Sequence, residues 1–202
     1  MEAIQCMVER RRGGETGVVN IHATKHDAVW KALESGSWAA GGWDPQLLEA
    51  CLCRSHSLTP ARKGFSHILP TVAQMRQLVP PVQGPFCYRY QHADGLKVTM
   101  LLAEGVIQDF TFAARLKGQP DPFSVHFYLP PREVCNFFSP LTHHIEQLFL
   151  TRESPIPIER NLLTTGITAA GVDSMWRGQR PIATPHLNVR YRPNGKSTYW
   201  KN

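Results

Sequence analysis

Between Phe86 and Leu116 the chain alternates apolar and polar side chains so regularly that only extended strands explain it. "FCYRYQH" puts Phe86, Tyr88 and Tyr90 on one face, "LKVTMLLA" does the same with Leu96, Val98, Met100 and Leu102, and "VIQDFTFAARL" with Val106, Phe110, Phe112 and Ala114. A period of two places successive side chains on opposite faces of a sheet. The segments are separated by Asp94-Gly95 and Glu104-Gly105. Asp-Gly is a strong tight-turn pair because glycine accepts a positive φ without a steric penalty. The expectation is a three-stranded antiparallel meander, then strands over "FSVHFYL" (123–129) and "HLNVRYR" (186–192).

Opposite the apolar row lie Arg89, Gln91, Lys97, Thr99, Asp109, Thr111, Arg115, Ser124, His126, Tyr128, Asn188 and Arg190. An antiparallel sheet can leave one face in water, so simple solvation accounts for such a row. The rival readings are a polar pocket or contact with another subunit.

Other segments carry helix signals. "DPQLLEACLCRS" opens with Asp44 as a cap and Pro45 at the first helical position, and "SPLTHHIEQLFL" opens similarly. "TKHDAVWKALESG" starts from Thr24 and closes near Gly36, and "TVAQMRQLV" stops at Pro80-Pro81. "AIQCMVERR" and "TGVVNIHA" flank "RGGE" and suggest a further hairpin. "PIPIERNLLTTGITAAGVDSMWRGQRP" is a long helix whose Gly166, Ala169, Ala170 and Gly171 let a sheet face or another backbone come close. Close approach recovers dispersion contacts that offset about 1 kcal/mol of helix propensity per glycine. Irregularly interleaved helices and strands indicate α+β, with one large, mostly antiparallel open sheet and helices on one face. The 202 residues are read as a single domain, 1–202, with no repeat or linker to divide them.

Several chemistries are tested and set aside. "RRGGETG" has glycines at the wrong spacing for a dinucleotide loop and sits between expected strands, while "NGKST" has Arg190 where a phosphate loop requires its first glycine. Cys51, Cys53, His56 and His67 fall close together, but Cys-x-Cys is not a zinc knuckle, and His143 with Glu146 lacks two further ligands. No metal is expected. His126 shares the polar face with Asp109 and Arg115, and an imidazole titrating near neutrality could exchange a proton with a hydroxyl or carbonyl.

The net charge of +6 is scattered, which disfavours nucleic acid as a partner, and five cysteines in no dense framework point to a reducing, cytoplasmic setting. No apolar run approaches the roughly 20 residues of a membrane span.

The long helix with its C-terminal extension, "PIPIERNLLTTGITAAGVDSMWRGQRPIATPHLNVRY", resembles the closing helix and last strand of the Gfo/Idh/MocA oxidoreductases. "CMVERRRGGETGV", "HILPTVAQMRQLV", "DGLKVTMLLAEGVIQDFTFAARLKGQ" and "IEQLFLTRESPIPIERNLLTTG" are similar to other parts of the same C-terminal domain, so the resemblance runs from about residue 3 to residue 192. In that family an N-terminal Rossmann domain holds NAD or NADP, and the C-terminal α+β domain contacts a sugar, polyol or related substrate and packs against other subunits.

The resemblance therefore implies a substrate-binding and oligomerisation domain without its Rossmann domain, from a truncated or split chain, binding no cofactor and inactive alone. A separate nucleotide-binding chain is an expected partner, as is a second copy held through the polar sheet face. The family's Asp-x3-His pair has its nearest counterpart at Asp44, but position 48 is Leu, so the acid/base residue stays unassigned. Candidate substrate-pocket residues are His126, Arg115, Lys117, Asp109, Asp44, Glu159 and Arg160, with His56 as a further acid/base possibility. The alternative is a non-catalytic module that keeps the fold and binds a small ligand or a protein.

Overall fold

The computed structural model describes residues 1–59, 69–80, 82, 84–129 and 138–194. His67, Pro81, Cys135 and the Gly195-Lys196-Ser197 stretch lie outside them. The fold is α+β, with strands β1 (Val18–Lys25), β2 (Phe86–His92), β3 (Lys97–Leu102), β4 (Phe110–Ala114), β5 (Phe123–Phe127) and β6 (Ile182–Ala183). Helices are α1 (Glu2–Val8), α2 (Asp27–Ser35), α3 (Pro45–Arg54), α4 (Val72–Leu78), α5 (Ser139–Thr151) and α6 (Ile158–Trp176).

The single large sheet is replaced by two smaller ones. The main sheet has four antiparallel strands in the order β3-β2-β1-β6, and β4 pairs only with β5. The β2–β3 hairpin forms as the alternation requires, turning at Gly95 with φ 89°. The meander fails one turn later, because Val106 does not continue a strand. It is fully buried with Ala103 and Met75 in a core built from α2, α3 and α4, and its carbonyl accepts from Thr59 N–H. Gly105, φ 95°, lies against the carbonyl of Leu78, where a Cβ would have no room. Burying Val106 thus takes the chain away from β3, and β4 begins only at Phe110.

Two further expectations are corrected at the termini. "AIQCMVERR" forms α1 rather than a strand, since Ile4 and Val8, four apart, both pack into the second core. "HLNVRYR" forms a 3-10 turn at Pro185–Leu187 and a single bridge from Tyr191 to Glu15, because buried Leu187 packs beneath α6. At the first of the other helices, Thr24 stays in β1 and α2 starts at Asp27. Asp44 caps α3 as expected, accepting from Gln46 N–H at 2.9 Å.

Helices also fail to share one face. α6 covers the row formed by Ile21, Ala23, Tyr88 and Tyr90, and Ser174 Oγ on its buried side accepts from Ala23 N–H. Gly171 sits on the ring of Tyr88 and Gly166 on Leu187, so the small residues of this helix are where the sheet comes close. Cys87, pointing the other way, belongs to the core under α2, α3 and α4. α5 buries none of its side chains against the described residues.

Candidate functional site

β3 is an edge strand, and between it and β4 lies an open cleft of about 1720 Å³. Its walls include Leu96–Leu102, Phe110–Arg115, Trp38 and Trp43, with Thr164 and Thr168 of α6. Ligand pockets of small-molecule size usually enclose roughly 300–1,000 Å³. The cleft therefore has room for more than a small ligand. Of the sequence candidates, Asp44, Asp109 and Arg115 line it, while His126, Lys117, Glu159 and Arg160 do not.

At one end of the cleft Arg115, just beyond β4, donates through Nε to Asp44 Oδ2 at 2.8 Å and through Nη2 to Gln46 Oε1. The hydrogen bond from Arg115 holds the Asp44 carboxyl below the usual carboxylate range. Because these donors are engaged, the pair ties the start of α3 to the hairpin.

The second feature is a corner of about 270 Å³ formed by His56, Ser57, Gln108, Asp109, His126, Tyr128 and Leu129. Here the chain leaving α3 wraps the Asp109 carboxylate. His56 N–H (2.7 Å), Ser57 N–H (3.1 Å) and Ser55 Oγ (3.0 Å) all donate to it. In return Ser57 Oγ accepts from Gln108 N–H and Asp109 N–H. Partial burial pushes the Asp109 carboxyl up, but those donors outweigh it and keep the group below its ordinary value. His126 Nε2 lies 3.5 Å from Asp109 Oδ2, and the His56 ring stacks on His126 with centroids 4.6 Å apart and planes 6° from parallel.

This geometry decides between two chemistries. A metal bound by an imidazole lies near the plane of the ring, and two nearly parallel stacked rings share no such point. Among the described residues no group of three or more His, Cys, Asp or Glu is placed to hold a metal ion. Proton exchange needs no such shared point, and an imidazole beside a carboxylate can exchange a proton with a bound hydroxyl.

The remaining candidates sit elsewhere. Lys117 lies in the exposed turn between β4 and β5, and Glu159 is exposed in the first turn of α6. Arg160 pairs with Glu2 (3.0 Å) and Glu9 (3.6 Å), joining α6 to α1. It adjoins a buried network that sequence reading missed. There Glu15 accepts from Gln5 (2.7 Å), His92 Nδ1 (2.8 Å), Arg11, and the N–H groups of Thr16 and Gly17. Burial opposes ionisation of Glu15, yet the bonds from His92, Arg11 and Gln5 hold its carboxyl far below the usual range. Only the position of Glu15 in a glycine-rich turn hinted at this, since partners up to 186 residues distant in sequence complete it.

Two of the three glycines of "RRGGETG" are closed as a phosphate cradle. A Cβ on Gly14 would meet Tyr191 O at 2.8 Å, and one on Gly17 would meet Leu187 O at 2.6 Å, so protein backbone occupies the space a pyrophosphate would need there, while Gly13 is open. No known family, curated protein or solved structure matches this chain. Among the described residues no helix is long and apolar enough to cross a membrane.

Proposed function

We propose that this chain is the substrate-binding and oligomerisation domain of a Gfo/Idh/MocA-type, NAD(P)-dependent oxidoreductase acting on a sugar, polyol or related hydroxy compound. It works in the cytoplasm and depends on a nucleotide-binding domain for hydride transfer. The observation that carries this reading is the cleft beside β3. It is too wide for a small ligand by itself, its floor is apolar, and polar groups from Lys97, Thr99, Asp109, Thr111 and Arg115 stand along it. Such a surface suits a ligand held between this domain and a neighbour.

The nucleotide would be held by a nucleotide-binding domain rather than at Gly14 and Gly17, where protein backbone fills the space. Self-association uses the polar face of the main sheet. The test is NADH and NADPH fluorescence titration of the isolated chain, then of the chain with a separately encoded nucleotide-binding partner. The expected result is no cofactor binding alone and binding with substrate-dependent turnover in the mixture. Micromolar cofactor binding by the isolated chain would overturn the assignment of the nucleotide to another domain. Strictly monomeric sedimentation at micromolar concentration would overturn the oligomerisation role.

A second reading, a non-catalytic binding module, is favoured by the Asp109–His126–His56 corner, which is complete within this chain. Binding of myo-inositol or glucose by the isolated chain, unchanged by nicotinamide cofactor, would select it.

A further inference from the structure

On the polar face of the main sheet, Arg89 of β2 is only 6% exposed, and none of the described carboxylates forms an ion pair with it. Its guanidinium has five N–H donors. One is taken by the carbonyl of Trp38, and a second approaches His22 Nδ1 at 3.5 Å. The Nε–H group is buried without a partner. His22 brings no negative charge, because its Nε2 meets the carbonyl of Gln179 at 3.0 Å and leaves Nδ1 as the acceptor. The Trp38 ring lies over the guanidinium at 4.1 Å, and Lys97 Nζ stands 5.7 Å from the same ring.

A buried cation without a carboxylate is expensive, and a cation–π contact recovers only part of that cost. An apolar side chain of similar length would fill the same space at no such cost. What the guanidinium uniquely offers is a planar fork for an oxyanion. Arg89 does not itself line the cleft; the segment that carries Trp38 lies over its guanidinium. That segment runs from Gly36 (φ 63°) to Gly41 (φ 93°), is exposed except for the half-buried Trp38 and Gly41, and its Gly36, Ser37 and Trp38 border the cleft together with Lys97 and Thr99.

We propose that Arg89 and Lys97, beneath the Trp38 turn, form a binding site for a small oxyanion, a phosphate or a carboxylate, that the Trp38 segment covers. The site needs neither cofactor nor partner chain, and it shares Lys97 with the cleft that carries the proposed function.

The test measures thermal midpoint and tryptophan emission at constant ionic strength, with inorganic phosphate in one arm, succinate in the other and chloride as control. Wild type should show a saturable rise in midpoint with phosphate or succinate, and the arm that saturates identifies the anion. Arg89→Met should weaken binding at least tenfold while leaving the anion-free midpoint unchanged or higher. Lys97→Gln should weaken it two- to threefold, and serves as the decisive variant should Arg89→Met fail to fold. Absence of saturation in both arms, or equal binding by Lys97→Gln and wild type, overturns the proposal. So does an Arg89→Met variant whose only defect is lost self-association, because a partner's carboxylate would then be the true occupant.

Discussion

Glu15 and Asp109 are built alike up to a point. Each carboxylate accepts two consecutive main-chain N–H groups and faces an imidazole, at 2.8 Å for Glu15 and 3.5 Å for Asp109. They differ in what surrounds them. The side chains of Glu15 and His92 are 0% exposed and enclosed by Gln5, Arg11 and Tyr90, whereas those of Asp109 and His126 are 15% and 17% exposed and border the smaller open corner. The same chemical unit is a fastener where the sheet, α1 and the last strand-like segment close over it. It becomes a candidate site where the β4–β5 hairpin leaves it open. Burial and access, rather than residue type, separate the two.

The strongest way to break that contrast is to remove Glu15. Glu15→Ala leaves Arg11 and His92 without their carboxylate, and loss of one member of a buried pair costs about 3–5 kcal/mol. Urea unfolding should show that loss, and a change below about 1 kcal/mol, the scale of an exposed pair, would deny the network its fastening role. Gly171→Ala probes the same closed end by driving a methyl into the Tyr88 ring, with an expected loss of about 1–3 kcal/mol. Gly166→Ala should cost less, because Leu187 meets it with the end of a flexible side chain.

Asp109→Asn should cost about 1–2 kcal/mol, the scale of charge-assisted hydrogen bonds at a partly open site. His126→Gln should cost less than about 1 kcal/mol, since it removes only a long ion pair and one ring of a stack. A larger loss for His126→Gln than for Glu15→Ala would reverse the assignment of fastener and site.

The pH dependence sharpens the comparison. Glu15 is held below its ordinary value of 4.5 in the folded protein, so its contribution is complete above that value and is lost as pH falls toward the folded value. Asp109 acts in the same direction from an ordinary value of 3.8. Acid titration of stability should therefore be steep below pH 4.5 in wild type. The acid limb should flatten strongly in Glu15→Gln and only slightly in Asp109→Asn, as measured by circular dichroism.

Short-range features were legible in advance because their partners lie within a few residues. Asp44 and Pro45 start α3, Asp94-Gly95 turns β2 into β3, and Gly36 closes α2 in a left-handed conformation. The candidate site was half legible. Asp109 and His126 were placed on one polar row by a period of two, but His56, which completes the corner, arrives from the end of α3. Arg89 was visible as a polar strand residue, while its burial under Trp38 was not, since nothing within the strand shows what covers it.

By itself, the amino-acid order determined the mixed α+β character, the long small-residue helix, the β2–β3 hairpin and the presence of strands within 110–114 and 123–127, because capping, turn chemistry and periodicity act over neighbouring residues. Only the tertiary structure decided that Val106 would be buried, that β4 would leave the main sheet, and which of two similar carboxylates would be sealed. Those outcomes depend on the apolar area that distant segments bury together, and alternation reads the same whether a strand's next partner lies beside it or across an open cleft.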